Sequence, residues 1–116
     1  MYYMHNDNKA KADARIVSAI EITSFSLKQG YGMIDFIRVN GDIDPWLQKQ
    51  PGFISRHITT DPDGRISDIL FWDSAGSATA SMSRLMQEFS DAPIHDVIDQ
   101  QTVSWSVRPV YHELKK

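Results

Sequence analysis

The sequence predicts an α+β fold of the ferredoxin-like kind: a four-stranded antiparallel sheet with its helices on one face. Three observations carry this expectation. Residues 50–58 and 65–74 are rich in β-branched and aromatic side chains and flank Asp61-Pro62-Asp63-Gly64, a hairpin signal. A further strand-like run lies towards each end, at 16–27 and at 102–111. Helical patterns fill the two gaps between these runs and the hairpin, so the order reads β-α-β-β-α-β.

Each element has its own basis. In the first strand Ile16, Ile20 and Ile22 share one parity, while Val17, Ala19, Thr23, Phe25 and Leu27 share the other, with Glu21 the exception. Apolar groups on both parities predict a strand covered on both faces. Lys28-Gln29-Gly30 ends it. Residues 31–49 read as helix, with Ile34, Phe36 and Ile37 starting an apolar stripe that Trp46 and Leu47 resume. Asn40-Gly41-Asp42 and Pro45 weaken the middle, which predicts a kinked helix or two short ones, with Asp44 capping the second. After the hairpin, Ala78, Met82, Leu85, Met86 and Phe89 recur at helical spacing behind a cap at Asp73 or Ser74. Ser90 to Pro93 breaks that helix, and residues 94–99 suit one further turn. In the last strand Val103, Trp105 and Val107 alternate with Ser104, Ser106 and Arg108, and Pro109 suits only an interruption or a sheet edge.

The chain of 116 residues suits one domain, read as residues 15–116 behind a flexible N-terminal tail, residues 1–14. Hydrophobic residues at 41% and charged residues at 23% match an ordinary globular protein. The formal net charge of −3 and the lack of a Lys/Arg cluster exclude nucleic acid as the main partner. No apolar run reaches the roughly 20 residues that span a bilayer, so no membrane contact is expected, and the absence of cysteine leaves reducing cytoplasm as the default location. Cysteine is absent, and His5, His57, His95 and His112 lack ligand spacing, so no metal site is expected. The sheet shows no clean polar face. Phe25, Phe53, Leu70 and Trp72 are read as needing cover from a second sheet, which predicts a homodimer packed through its sheet faces.

Several residues together resemble one family. Gln50-Pro51-Gly52-Phe53, Asp63-Gly64, Asp68-Ile69, Trp72 followed by Ser74 and Ala78, and Ile98-Asp99 before Val103 resemble the antibiotic biosynthesis monooxygenase (ABM) family. Ile20-Glu21-Ile22 with Phe25, Leu27 and Gly30 fits the same pattern, and the resemblance spans about residues 16–112. It implies a dimeric α/β barrel and, for its oxygenase members, cofactor-independent monooxygenation of a small aromatic substrate. Haem-degrading members use an Asn on the first strand and a His on the second helix. This chain has Thr23 or Ser24 and Met82 there, which argues against haem degradation. Trp72 is the position that carries over.

The candidate chemistry follows from the hairpin. A turn of residues 61–64 puts Thr60 opposite Arg65 and His57 opposite Asp68. Phe53, Ser55, His57, Asp68 and Trp72 then share one sheet face. A carboxylate beside a histidine fixes its tautomer and raises its basicity, which suits a general base; the plainer reading is a cross-strand pair at the dimer seam. Trp72, Phe25, Trp105, Tyr31 and Arg108 are the candidate substrate contacts. Two functions are carried forward. One is an ABM-like oxygenase in which Trp72 stacks on the substrate and His57 takes its proton. The other is a non-catalytic small-molecule-binding or stress-related homodimer.

Overall fold

The structure is a computed structural model that describes residues 15–116, so the expected tail at residues 1–14 lies outside the described residues. Four strands run β1 Ser18–Phe25, β2 Phe53–Thr60, β3 Ile66–Trp72 and β4 Ser104–Val110. Helices α1 Met33–Val39 and α2 Ile43–Gln48 link β1 to β2. Helix α3 Ala75–Glu88, the short α4 Ile94–Val97 and a 3-10 turn Gln100–Thr102 link β3 to β4. The sheet order is β2-β3-β1-β4 and every pairing is antiparallel, the ferredoxin-like arrangement.

Local chemistry explains the breaks. Asn40 ends α1, and α2 restarts behind Asp42 with Pro45 as its third residue. The expected cap was Asp44. A proline is tolerated in either register because the first turn has no intrahelical partner for its N–H groups. Ser74 caps α3 by accepting the Ser77 N–H at 3.1 Å. β1 is shorter than expected: Ile16 and Val17 are exposed, and Leu27 leaves the sheet to bridge Ile98. Pro109 sits in β4, an edge strand, as its missing donor requires.

The hairpin register differs from expectation by one residue. The Gly64 N–H donates to the Asp61 carbonyl at 2.9 Å, and the Asp61 N–H donates to the Arg65 carbonyl at 2.7 Å. Gly64 adopts a φ of 88°, the left-handed conformation of a glycine bulge closing a three-residue loop. Asp61 therefore pairs with Arg65. Thr60 then falls opposite Ile66, Ile58 opposite Asp68 and His57 opposite Ile69.

This register divides the faces. Ile66, Asp68, Leu70 and Trp72 are buried along β3, while Ser67, Ile69 and Phe71 between them are half-buried. The buried set faces the helices. One core cluster joins Leu70 and Trp72 to Ile43, Leu47 and Ala78; a second joins Phe25 and Ile66 to Phe36 and Ile94. Phe25, Phe53, Leu70 and Trp72 are thus covered by the chain's own helices, with Phe53 packed edge-on against Trp72 at 5.5 Å. They are not the wet groups from which sheet-to-sheet dimerisation was argued. The outward face instead carries Ile20, Ile22, Ile69 and Phe71, all half-buried. On α3, Ser81 is buried, while Met86, expected in the apolar stripe, is 60% exposed.

Candidate functional site

Between the two core clusters the helices stand off the sheet and leave a cavity of about 410 Å³. Its walls are apolar, with Phe25, Phe36, Leu47, Met82, Leu85 and Ile98 among them. Such a volume falls in the range of small-molecule sites. Its floor is polar, because four helix-facing strand positions carry Glu21, Thr23, Arg56 and Asp68.

Glu21 is the centre of this floor. On β1 it lies between Ala19, which faces Trp72 of β3, and Thr23, which faces Trp105 of β4. Both indoles are therefore diagonal cross-strand neighbours of Glu21, within reach of long side chains. The Trp72 Nε1–H donates to Glu21 Oε1 at 2.8 Å and the Trp105 Nε1–H donates to Oε2 at 2.7 Å. Glu21 is 3% exposed. Burial raises its pKa above the ordinary carboxylic value; the two indole donors oppose this without cancelling it, and the nearby Asp68 charge adds to it. The group is thus a stronger base than an exposed glutamate. Each oxygen keeps a second lone pair for a ligand.

Beside it Arg56 and Asp68 form a fork. Arg56 Nε donates to Asp68 Oδ1 at 3.0 Å and Nη2 to Oδ2 at 2.5 Å. Its Nη1 reaches Asp44 of α2 at 2.8 Å, so one guanidinium ties the sheet to the helix above it. Burial works against the Arg56 charge, but Asp68 and Asp44 outweigh it and hold its pKa above the ordinary value. Asn40 lines the wall with a buried side-chain oxygen that has no hydrogen-bond partner.

The sequence-derived candidates separate cleanly. Phe25, Asp68, Trp72 and Trp105 line the cavity. His57 does not. It is exposed on the opposite sheet face, edge-on to Phe71 at 6.1 Å, because the Gly64 bulge moves it one position away from Asp68. The proposed histidine–aspartate pair is not formed; Asp68 takes Arg56 instead. Tyr31 is 45% exposed ahead of α1, and Arg108 sits exposed on the outward face of β4 opposite Ile20, both away from the cavity. Sequence reasoning missed Glu21 and Asn40 as cavity residues. The signal for Glu21 was available: a single charge on the otherwise apolar parity of a central strand.

No known family profile matches the sequence, and no curated protein matches it. Solved structures do match. SnoaB, a cofactor-independent oxygenase from Streptomyces nogalater, superposes with a TM-score of 0.65 at 13% identity over 85% of this chain and 98% of its own. A putative antibiotic biosynthesis monooxygenase from Chloroflexus aurantiacus gives 0.59 at 16% identity, covering 84% of this chain and 97% of that one. This chain has the ABM-like fold. A monooxygenase of Streptomyces coelicolor, ActVA-Orf6, solved in complex with Nanaomycin D, gives 0.55 at 15% identity over 86% of this chain and 93% of that one. At these identities the likeness establishes the ABM-like architecture, and the chemistry rests on the cavity itself. Among the described residues no helix is long and apolar enough to cross a membrane, and no group of three or more His, Cys, Asp or Glu side chains is placed to hold a metal ion.

Proposed function

We propose that the chain is an ABM-like oxygenase that uses dioxygen directly on a small aromatic substrate. The observation that carries this reading is the buried Glu21, basic beyond its ordinary range, at the floor of an apolar cavity of about 410 Å³. The ABM-like fold is consistent with it. Glu21 takes over the base role first assigned to His57. Trp72 and Trp105 hold the carboxylate in place, and the apolar wall seats the ring system.

In this scheme Glu21 removes a proton from an acidified carbon or phenolic oxygen. The resulting anion gives electrons to dioxygen and forms a carbon–oxygen bond. For an anthrone-type methylene, loss of water from the hydroperoxide completes the reaction. The carbon exchanges two hydrogens for one oxygen, and the second oxygen atom leaves as water. Arg56 stays paired with Asp68 and Asp44 and holds the floor in place beneath the ring system. Oxygen uptake with anthrone- and quinol-type substrates tests this. Wild type is expected to turn over at least one, and Glu21→Gln to lose about 10²-fold or more. No uptake on any such substrate, or equal rates for both proteins, removes the mechanism.

A second reading is a non-catalytic binder. It is favoured by the pairing of Arg56 with Asp68 and of Glu21 with two indoles, which leaves few cavity groups uncommitted. The same oxygen-uptake comparison separates the two. In either case a homodimer through the outward sheet face is proposed, now resting on Ile20, Ile22, Ile69 and Phe71 in place of Trp72 and Phe53. A monomer at micromolar concentration in light scattering would remove it.

A further inference from the structure

We infer that the cavity takes an amphiphile: a hydroxylated ring enters first and stops at the floor, and a hydrocarbon tail stays in the mouth against Met86 and Val103. The inference deepens the reading of the cavity as a ligand site and rests on it. Among the described residues that line the cavity, four are exposed: Met86, Gln100, Val103 and Trp105. Met86 lies in the last turns of α3, and the other three lie in residues 100–105, which lead into the edge strand β4. The cavity therefore opens between the C-terminal half of α3 and the start of β4.

The polarity of the site is ordered from inside to outside. Its charged groups lie at the bottom, where Glu21 and Asp68 are buried and the Arg56 side chain is 9% exposed. None of the four rim residues is charged. Met86 is 60% exposed, Val103 39% and Trp105 43%, and only Gln100 is polar. Trp105 measures the depth. Its Nε1–H meets Glu21 Oε2 at 2.7 Å while the same residue reaches the surface, so the floor lies one indole below the mouth. A two-ring phenol touching the floor fills that depth, and a substituent on its far end passes over the rim. Hydrocarbon there covers exposed apolar surface and is favoured; a carboxylate or phosphate would lose hydration and meet no counter-ion. Met82 and Met86 both line the cavity one helical turn apart, so the apolar wall continues from inside to outside along α3. Unbranched, flexible methionine suits a tail of variable length.

Isothermal calorimetry with 6-methyl-, 6-butyl- and 6-hexyl-2-naphthol tests this. A half-covered methylene tightens binding about twofold, so wild type is expected to bind the hexyl compound at least about tenfold tighter than the methyl compound. The double variant Met86→Gln/Val103→Thr keeps the size of both side chains and makes the rim polar. It is expected to bind the methyl compound within about twofold of wild type and the hexyl compound about fivefold or more weaker. Affinity in wild type that is flat with chain length, or no binding of any of the three, overturns the inference without recourse to the variant. So does a variant that loses the methyl and hexyl compounds equally, or loses neither. A variant whose molar mass by light scattering falls below that of wild type also overturns it, since the rim would then be a contact between two copies of the chain. Oxygen uptake is read separately. A chain-length preference without turnover keeps this inference and removes the oxygenase reading; turnover lost in Glu21→Gln with no chain-length preference does the reverse.

Discussion

Replacing Arg56 by methionine while leaving Asp68 in place isolates what the fork at the cavity floor contributes. The two side chains are 9% and 12% exposed, so the change strands a carboxylate in a nearly dry site. Removing one member of such a pair costs about 3–5 kcal/mol. The second partner, Asp44, is 69% exposed, and its ion pair adds only about 0–1 kcal/mol after solvent screening. For a domain of this size each kcal/mol lowers the melting temperature by roughly 4–8 °C, so a fall of about 12–24 °C is expected even at the low end. The double variant Arg56→Met/Asp68→Leu removes both charges and keeps comparable volume. It should recover most of the loss and lie within about 1–2 kcal/mol of wild type. Circular dichroism melts of wild type, both single variants and the double variant close the cycle. A single variant within about 1 kcal/mol of wild type, or a double variant as unstable as the sum of the singles, refutes the claim that the fork is a desolvated pair.

Further outcomes follow from the same geometry. Because the folded state favours protonated Glu21, its contribution to stability is full below the ordinary value of 4.5 and is lost as pH rises through the higher folded pKa; wild type should lose stability relative to Glu21→Gln on going from pH 4 to pH 8, seen as converging or crossing denaturant midpoints. Trp105→Phe removes one indole donor to the carboxylate, so the acid limb of the pH–rate profile should move to higher pH, and an unmoved limb would mean that Glu21 is not the titrating base. Gly52→Ala should cost about 2–3 kcal/mol, from its φ of 83° and from a Cβ falling 2.3 Å from Asp73 Oδ1 and 2.5 Å from Ser77 Oγ, whereas Gly30→Ala, with a φ of 91° and open space around it, should cost only about 1–2 kcal/mol in urea titrations. His57→Ala should leave turnover within about twofold of wild type, since the ring lies on the far side of the sheet from the cavity.

The residue pattern made much of the fold legible. The Asp-Pro-Asp-Gly turn, the weak Asn40-Gly41-Asp42 joint and the Ser90–Pro93 break all act locally, where propensity and capping decide the outcome, and each lies at or near its expected place. What failed was longer in range. The glycine bulge at Gly64 closes a three-residue loop where four residues were expected, and a slip of one position turns a strand's side chains to the other face. His57 left the site for that reason, and Arg56 entered it. The same ambiguity put Trp72 and Phe53 outside, because apolar residues of both parities do not say which face the helices cover. Glu21 was noted only as an irregularity. Its role depends on two indoles from strands far apart in sequence converging on one carboxylate, a fact of topology that no local window contains.

That convergence gives the molecule its own optical gauge. Two of the three tryptophans share one carboxylate, while the third, Trp46, packs against Phe89 and donates to Glu88. Any event that adds a proton to Glu21, or slides a ring against the floor, perturbs two emitting chromophores at once. The intrinsic fluorescence of the unlabelled protein should therefore track both occupancy and ionisation of its interior, with a Trp46→Phe variant supplying the signal free of background.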